Sequence, residues 1–171
     1  MLRYFLIFLI IFTYYSAYSQ PGGNPYTARM VITRGGYVEF MFNSLEKYEN
    51  GITFTDYTYI DICFQDPDNP GAGGTKWKLE VMANSASFVG ASALPLNMLE
   101  LDISGTPTAI YPATPVAISA VNQVIASDGL QGNESDNRIK ISYQCGVSVN
   151  LMGKASGYNT VDLIFTLSAQ P

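Results

Sequence analysis

Residues 138–151, RIKISYQCGVSVNL, alternate without a break. Ile139, Ile141, Tyr143, Cys145, Val147, Val149 and Leu151 share one face, and Arg138, Lys140, Ser142, Gln144, Gly146, Ser148 and Asn150 share the other. Successive side chains of a strand point to opposite sides of its sheet, so this period of two marks a strand with one buried face. The pattern recurs on both sides of this run. Val38, Phe40 and Phe42 stand against Glu39 and Met41, and Ile60, Ile62 and Phe64 against Asp61. Trp77, Leu79 and Val81 alternate with Lys76, Lys78 and Glu80, and Leu99, Leu101 and Ile103 with Glu100 and Asp102. Val161, Leu163, Phe165 and Leu167 alternate with Asp162, Ile164, Thr166 and Ser168. A short helix fits only Ser44 to Tyr48, while Pro115 to Val124 is β-branched, uncharged and better suited to a strand. Gly, Asn, Asp and Pro punctuate the runs, in Arg34-Gly35-Gly36-Tyr37, Glu49-Asn50-Gly51, Gln65 to Thr75, Ser127-Asp128-Gly129 and Gln131 to Asn137. About eight short strands with turns between them predict an all-β chain folded as an antiparallel two-sheet sandwich, with a closed barrel as the rival.

The chain has 171 residues, enough for one domain with a real core. Charged residues are 13%, against about 25% in an average domain, and the net charge is −5. An acidic chain lacks the basic face that phosphate contacts require, which excludes nucleic acid as the partner. It contains no His, so the commonest general base and the commonest zinc ligand are both missing.

Residues 1–19 read as an export signal. Arg3 supplies a positive charge, Tyr4 to Tyr15 is a twelve-residue apolar run, and Ser16-Ala17-Tyr18-Ser19 puts small residues before a cut between Ser19 and Gln20. Twelve residues are too few for a spanning helix, which needs about 20. Residues 20–171 are then a single exported domain with 8 basic against 14 acidic residues and no transmembrane anchor.

Cys63 and Cys145 are the only cysteines. In an oxidising compartment they are expected to close a disulfide, with two buried free thiols as the alternative. Closing a loop of 82 residues corresponds to roughly 4.5 kcal/mol in the chain-entropy model.

Catalytic patterns are scarce. No Gly-x-Ser-x-Gly elbow is present, and Ser and Thr have no His to activate them. Glu39, Asp61, Glu80, Glu100, Asp102 and Asp162 fall opposite apolar residues and fit a solvated outer face. A small secreted hydrolase would need two of its carboxyls to converge in a cleft. Asp66 and Asp68, in the loop DPDNPG, are weak calcium candidates without EF-hand spacing, and a polar hairpin loop is the plainer explanation. Tyr26, Tyr37, Tyr48, Tyr57 and Tyr59 crowd the first third of the exported chain and suit either strand packing or stacking on sugar rings. Trp77 fits the core better than a sugar platform.

The stretch Trp77-Lys78-Leu79-Glu80-Val81, followed by Phe88 and Leu94-Pro95-Leu96, resembles a strand pair of the secreted immunoglobulin-like surface proteins of bacteria, which include subunits of pili and spore-coat-type assemblies. The ending Gly157-Tyr158-Asn159-Thr160-Val161-Asp162-Leu163-Ile164-Phe165-Thr166-Leu167, a Gly-Tyr turn before a last alternating strand, is similar to theirs as well. The resemblance implies an immunoglobulin-like sandwich at a bacterial cell surface, structural or adhesive, without catalysis or cofactor. Its partners would be other surface subunits or copies of itself, joined by strand edges. Tyr26, Ala28, Met30 and Ile32 lie on one face of a segment suited to donate such a strand, or simply to form the first strand of its own sheet. A carbohydrate-binding module, with polysaccharide as its partner, is the alternative function.

Overall fold

The β-branched, alternating runs fold as strands wherever a neighbouring strand satisfies their backbone groups. The computed structural model describes residues 27–71, 73–91, 94–106, 108–154 and 157–170. Its elements are β1 (Thr27–Arg34), α1 (Leu45–Asn50), β2 (Ile52–Gln65), β3 (Lys76–Ala83), β4 (Val89–Gly90), β5 (Leu99–Gly105), β6 (Val116–Ala117), β7 (Gln123–Gly129), β8 (Arg138–Cys145), β9 (Asn159–Thr160) and β10 (Leu163–Gln170). Strand makes up 49% and helix 7%, which sets the class as all-β. Every strand pairing is antiparallel. The sheet orders are β1-β2-β8-β5-β6, β10-β3-β7 and β4-β9.

The inward faces of the two larger sheets contribute to one apolar cluster. Ile60 and Ile62 of β2, Leu79 and Val81 of β3, Ile125 of β7, and Ile139 and Ile141 of β8 are all fully buried within it. Burying such a side chain stabilises the fold by about 1.5–3 kcal/mol. Trp77 is also a core residue, and its indole N–H donates to the Leu130 carbonyl at 2.8 Å.

Several sequence expectations change. The run at 138–151 stops being a strand at Cys145, because Gly146 turns the chain at φ +74. Val38, Phe40 and Phe42 alternate in burial with Glu39 and Met41, yet, among the described residues, 37–43 join no sheet. Asp61, expected on a solvated face, is only 6% exposed. Arg138, directly across the strand pair, covers it through two hydrogen bonds of 2.7 and 2.8 Å. Those bonds, opposed by desolvation, hold the Asp61 carboxyl below its ordinary pKa. The short helix appears as α1, with the Ser44 hydroxyl accepting from the Lys47 amide at its N-terminus.

Cys63 and Cys145 are free thiols, which corrects the expected disulfide. Cys145 lies opposite Ile52 at one end of the β2–β8 ladder, and Cys63 lies two residues past Asp61 at the other end. At about 3.3 Å per residue their Cα atoms are roughly 30 Å apart, whereas a bridge requires less than about 7 Å. They also differ in exposure. Cys145 is buried and Cys63 half-buried. Burial pushes the Cys145 thiol up to about 12. An unfolded thiol ionises near about 8.5, so the folded state is expected to lose stability as the pH rises from there toward the folded value. Alkylation of the native protein at about pH 8 is expected to label Cys63 and spare Cys145 until denaturant is added. Equal labelling of both in the native state would contradict this burial.

Candidate functional site

Among the described residues, a concavity lies between the first and last parts of the chain. Gly35 to Phe42 forms one wall and Gly157 to Leu163 the other, around a volume of about 740 Å³. The first wall begins at Gly35, whose φ of +66 suits glycine and whose Cα lies so close to the Tyr57 carbonyl that a Cβ would meet it at 2.4 Å. The Thr58 hydroxyl donates to the Gly35 carbonyl at 2.5 Å and accepts from the Tyr143 hydroxyl at 2.9 Å. This relay ties the wall to the groove floor. Beyond Gly36 the chain runs extended to Asn43, with Val38, Phe40 and Phe42 turned toward the core cluster. The aromatic contacts Phe40–Phe54, Phe54–Tyr57 and Tyr57–Tyr143, with centroids 5.2, 5.4 and 6.2 Å apart, brace it from beneath. Phe42 packs against Tyr48 of α1 with tilted rings, centroids 5.5 Å apart.

Among the described residues no strand pairs with the backbone of this wall. Among the described residues, Tyr37 to Asn43 makes no backbone pairing, and only the Met41 carbonyl is taken, by the Lys47 ammonium at 3.2 Å. Among the described residues, β10 ends its sheet on the far side of the groove and β1, which leads into the near wall, ends the other, so each has one edge on which no described strand pairs. The floor is apolar, including Met98, Leu99 and Leu151. Tyr37 and Tyr158 stand on the rim at 73% and 88% exposure. Glu39, Lys154 and Asp162 are the charged residues around it, a mixed set with no concentrated field. Burial raises the Tyr143 hydroxyl pKa and pushes the Cys145 thiol in the floor up to about 12, so both are protonated at neutral pH. An apolar trough flanked by unpaired extended backbone offers contact surface and hydrogen-bonding edges.

The sequence-derived candidates fall elsewhere. Ala28, Met30 and Ile32 face Phe64, Ile62 and Ile60 of the same chain across the β1–β2 ladder, so the segment serves as the first strand of its own sheet. Tyr26, Ser19 and Gln20 lie outside the described residues. Asp66 is a loop organiser: one carboxylate oxygen accepts from the Asp68 and Asn69 amides at 3.0 and 3.3 Å, and the other accepts from the Thr75 hydroxyl. Gln131 fastens the same loop through the Asp66 amide and the Asn69 and Thr75 carbonyls. Among the described residues, no three His, Cys, Asp or Glu side chains gather where a metal could bind. No helix among them is long and apolar enough to cross a membrane.

Sequence reasoning missed the groove because alternation in Val38 to Phe42 reports which side is covered, not whether the backbone is bonded. No family model matches this chain, and no curated protein proved similar to it.

Proposed function

We propose that the chain is a structural or adhesive subunit exported to a bacterial cell surface, and that its groove accepts an extended strand from another subunit. On this reading the two larger sheets are the layers of an immunoglobulin-like sandwich that is open along one seam. The observation that carries it is the coincidence of an apolar floor with unpaired extended backbone at Tyr37 to Asn43. A strand laid there would satisfy backbone groups through its main chain and fill the trough with alternate side chains. A small apolar ligand would fill the trough and leave those groups to water.

Phe40 is the test residue. It lines the groove and is already half-buried on Phe54, so only part of its apolar surface is left for a docked strand; replacing it with Ala removes contact worth about 1 kcal/mol, or about 5-fold in affinity. Phe40→Ala is expected to weaken subunit association by that factor, measured by sedimentation velocity of the purified protein and by recovery of cross-linked partner from the cell surface. Wild-type protein that stays monomeric at high concentration and yields no cross-linked partner would overturn the proposal.

The exposed rim residues Tyr37 and Tyr158 favour one second reading, a carbohydrate-binding module. It calls for a mobility shift on polysaccharide gels that Tyr37→Ala or Tyr158→Ala abolishes.

A further inference from the structure

We infer that β1 is an exchangeable strand, and that the edge of β2 it occupies in its own chain is the docking site for β1 of a second copy. Four observations point there. First, β1 buries little of itself: no residue in it is fully buried, and Ile32 on its inward face is 45% exposed. Beyond the ladder to β2 it is held by the exposed Arg29–Glu134 ion pair at 3.0 Å and by half-buried Met30, and an element with few buried side chains opens at low free energy. Second, that ladder is irregular at its hinge end, with a register shift between Ile32 and Arg34. Third, Gly35 and Gly36 follow at once, and Gly35 keeps its left-handed turn through the Thr58 hydroxyl bond to its carbonyl. Fourth, past the hinge the chain is already extended and unpaired to Asn43, so straightening the hinge sacrifices no ladder bonds there.

A released β1 leaves the β2 edge unpaired beside fully buried Ile60 and Ile62. The strand that fits this edge best is an identical β1, which restores the same pairs in the same register. Reciprocal exchange gives a closed two-fold dimer and needs no new surface. It uses a different edge from the groove: exchange takes place on β2, whereas the proposed strand acceptor is the trough beyond Gly36, and the two share only the hinge at Gly35 and Gly36.

The free thiol of Cys63 supplies the test, because Arg29 of β1 lies directly opposite it. Facing residues of an antiparallel pair have Cα atoms about 4.5–5.5 Å apart, within disulfide range. In a single chain, Arg29→Cys is expected to close onto Cys63 under mild oxidation. Two chains are then refolded together, one carrying Arg29→Cys with Cys63→Ser, the other wild type. Neither can close this bridge internally, so a bridge from position 29 of the first chain to Cys63 of the second, identified by peptide mass mapping of the dimer band, reports β1 of the first paired with β2 of the second. Thr33→Cys with Cys63→Ser is the control, since Thr33 lies four residues, or roughly 13 Å, farther along the strand. The expected result is a band of twice the monomer mass from Arg29→Cys, lost in the Thr33→Cys control. A single-chain bridge without any two-chain dimer would overturn the inference. So would equal dimer from the control, or failure of Arg29→Cys to bridge in one chain, which would refute the β1–β2 register itself.

Discussion

Trp77→Ala is expected to lower stability by about 3–5 kcal/mol, the range for removing a large buried aromatic. Typical domains are stable by only about 5–15 kcal/mol, so this one substitution approaches global unfolding. The indole is fully buried in β3, opposite Gly129 of β7. Gly129 leaves room for the ring: a Cβ there would lie 2.0 Å from an indole carbon. The cavity left by alanine would be framed by sheet backbone, which closes poorly around it. The Leu130 carbonyl would also lose its N–H donor. Trp77→Phe keeps most of the packing and gives up chiefly the hydrogen bond, so its loss should be nearer about 1 kcal/mol before any cavity term. Since Trp77 is the chain's one tryptophan, the alanine variant is followed by circular dichroism in a urea titration. A midpoint close to wild type would contradict the placement of Trp77 at the centre of the core.

Thr58→Val is expected to cost about 1–3 kcal/mol although the two side chains have nearly the same shape. Thr58 is 1% exposed, and its hydroxyl carries both bonds of the relay from Tyr143 to Gly35. Valine removes both and leaves the buried Tyr143 hydroxyl facing a methyl group. The penalty comes from that stranded donor, so adding Tyr143→Phe should recover part of the loss even though it deletes another polar group. A double-mutant cycle in urea measures the recovery, and strict additivity would show that the relay is not coupled. The same substitution unlatches Gly35, so Thr58→Val should raise the yield of β1-exchanged dimer.

Much of this architecture is written in local pattern. Alternation around Ile60, Leu79, Leu101, Ile141 and Phe165 marks strands because one-sided burial and the pleat share a period of two. Ser44 announces α1 through its hydroxyl, and Trp77 reads as core because its neighbours alternate with lysines. What local pattern cannot carry is the partner across the sheet. Asp61 looks solvated until Arg138, 77 residues away, is placed over it. Cys63 and Cys145 look like a pair until the register puts them at opposite ends of one ladder. Val38 to Phe42 looks like a strand and has a strand's covered face, yet among the described residues no strand pairs with its backbone. The candidate site is that discrepancy: residues with the pattern of a strand and without its pairing.

Amide hydrogen exchange resolved by mass spectrometry tests this most directly, on monomeric protein and on the assembled form recovered from the cell surface. Amides within Tyr37 to Asn43 should exchange quickly in the monomer and become protected on assembly, while those of β2 and β8 stay slow in both. Protection of Tyr37 to Asn43 already in the monomer, or rapid exchange there after assembly, would contradict the view that this open backbone is where another chain docks.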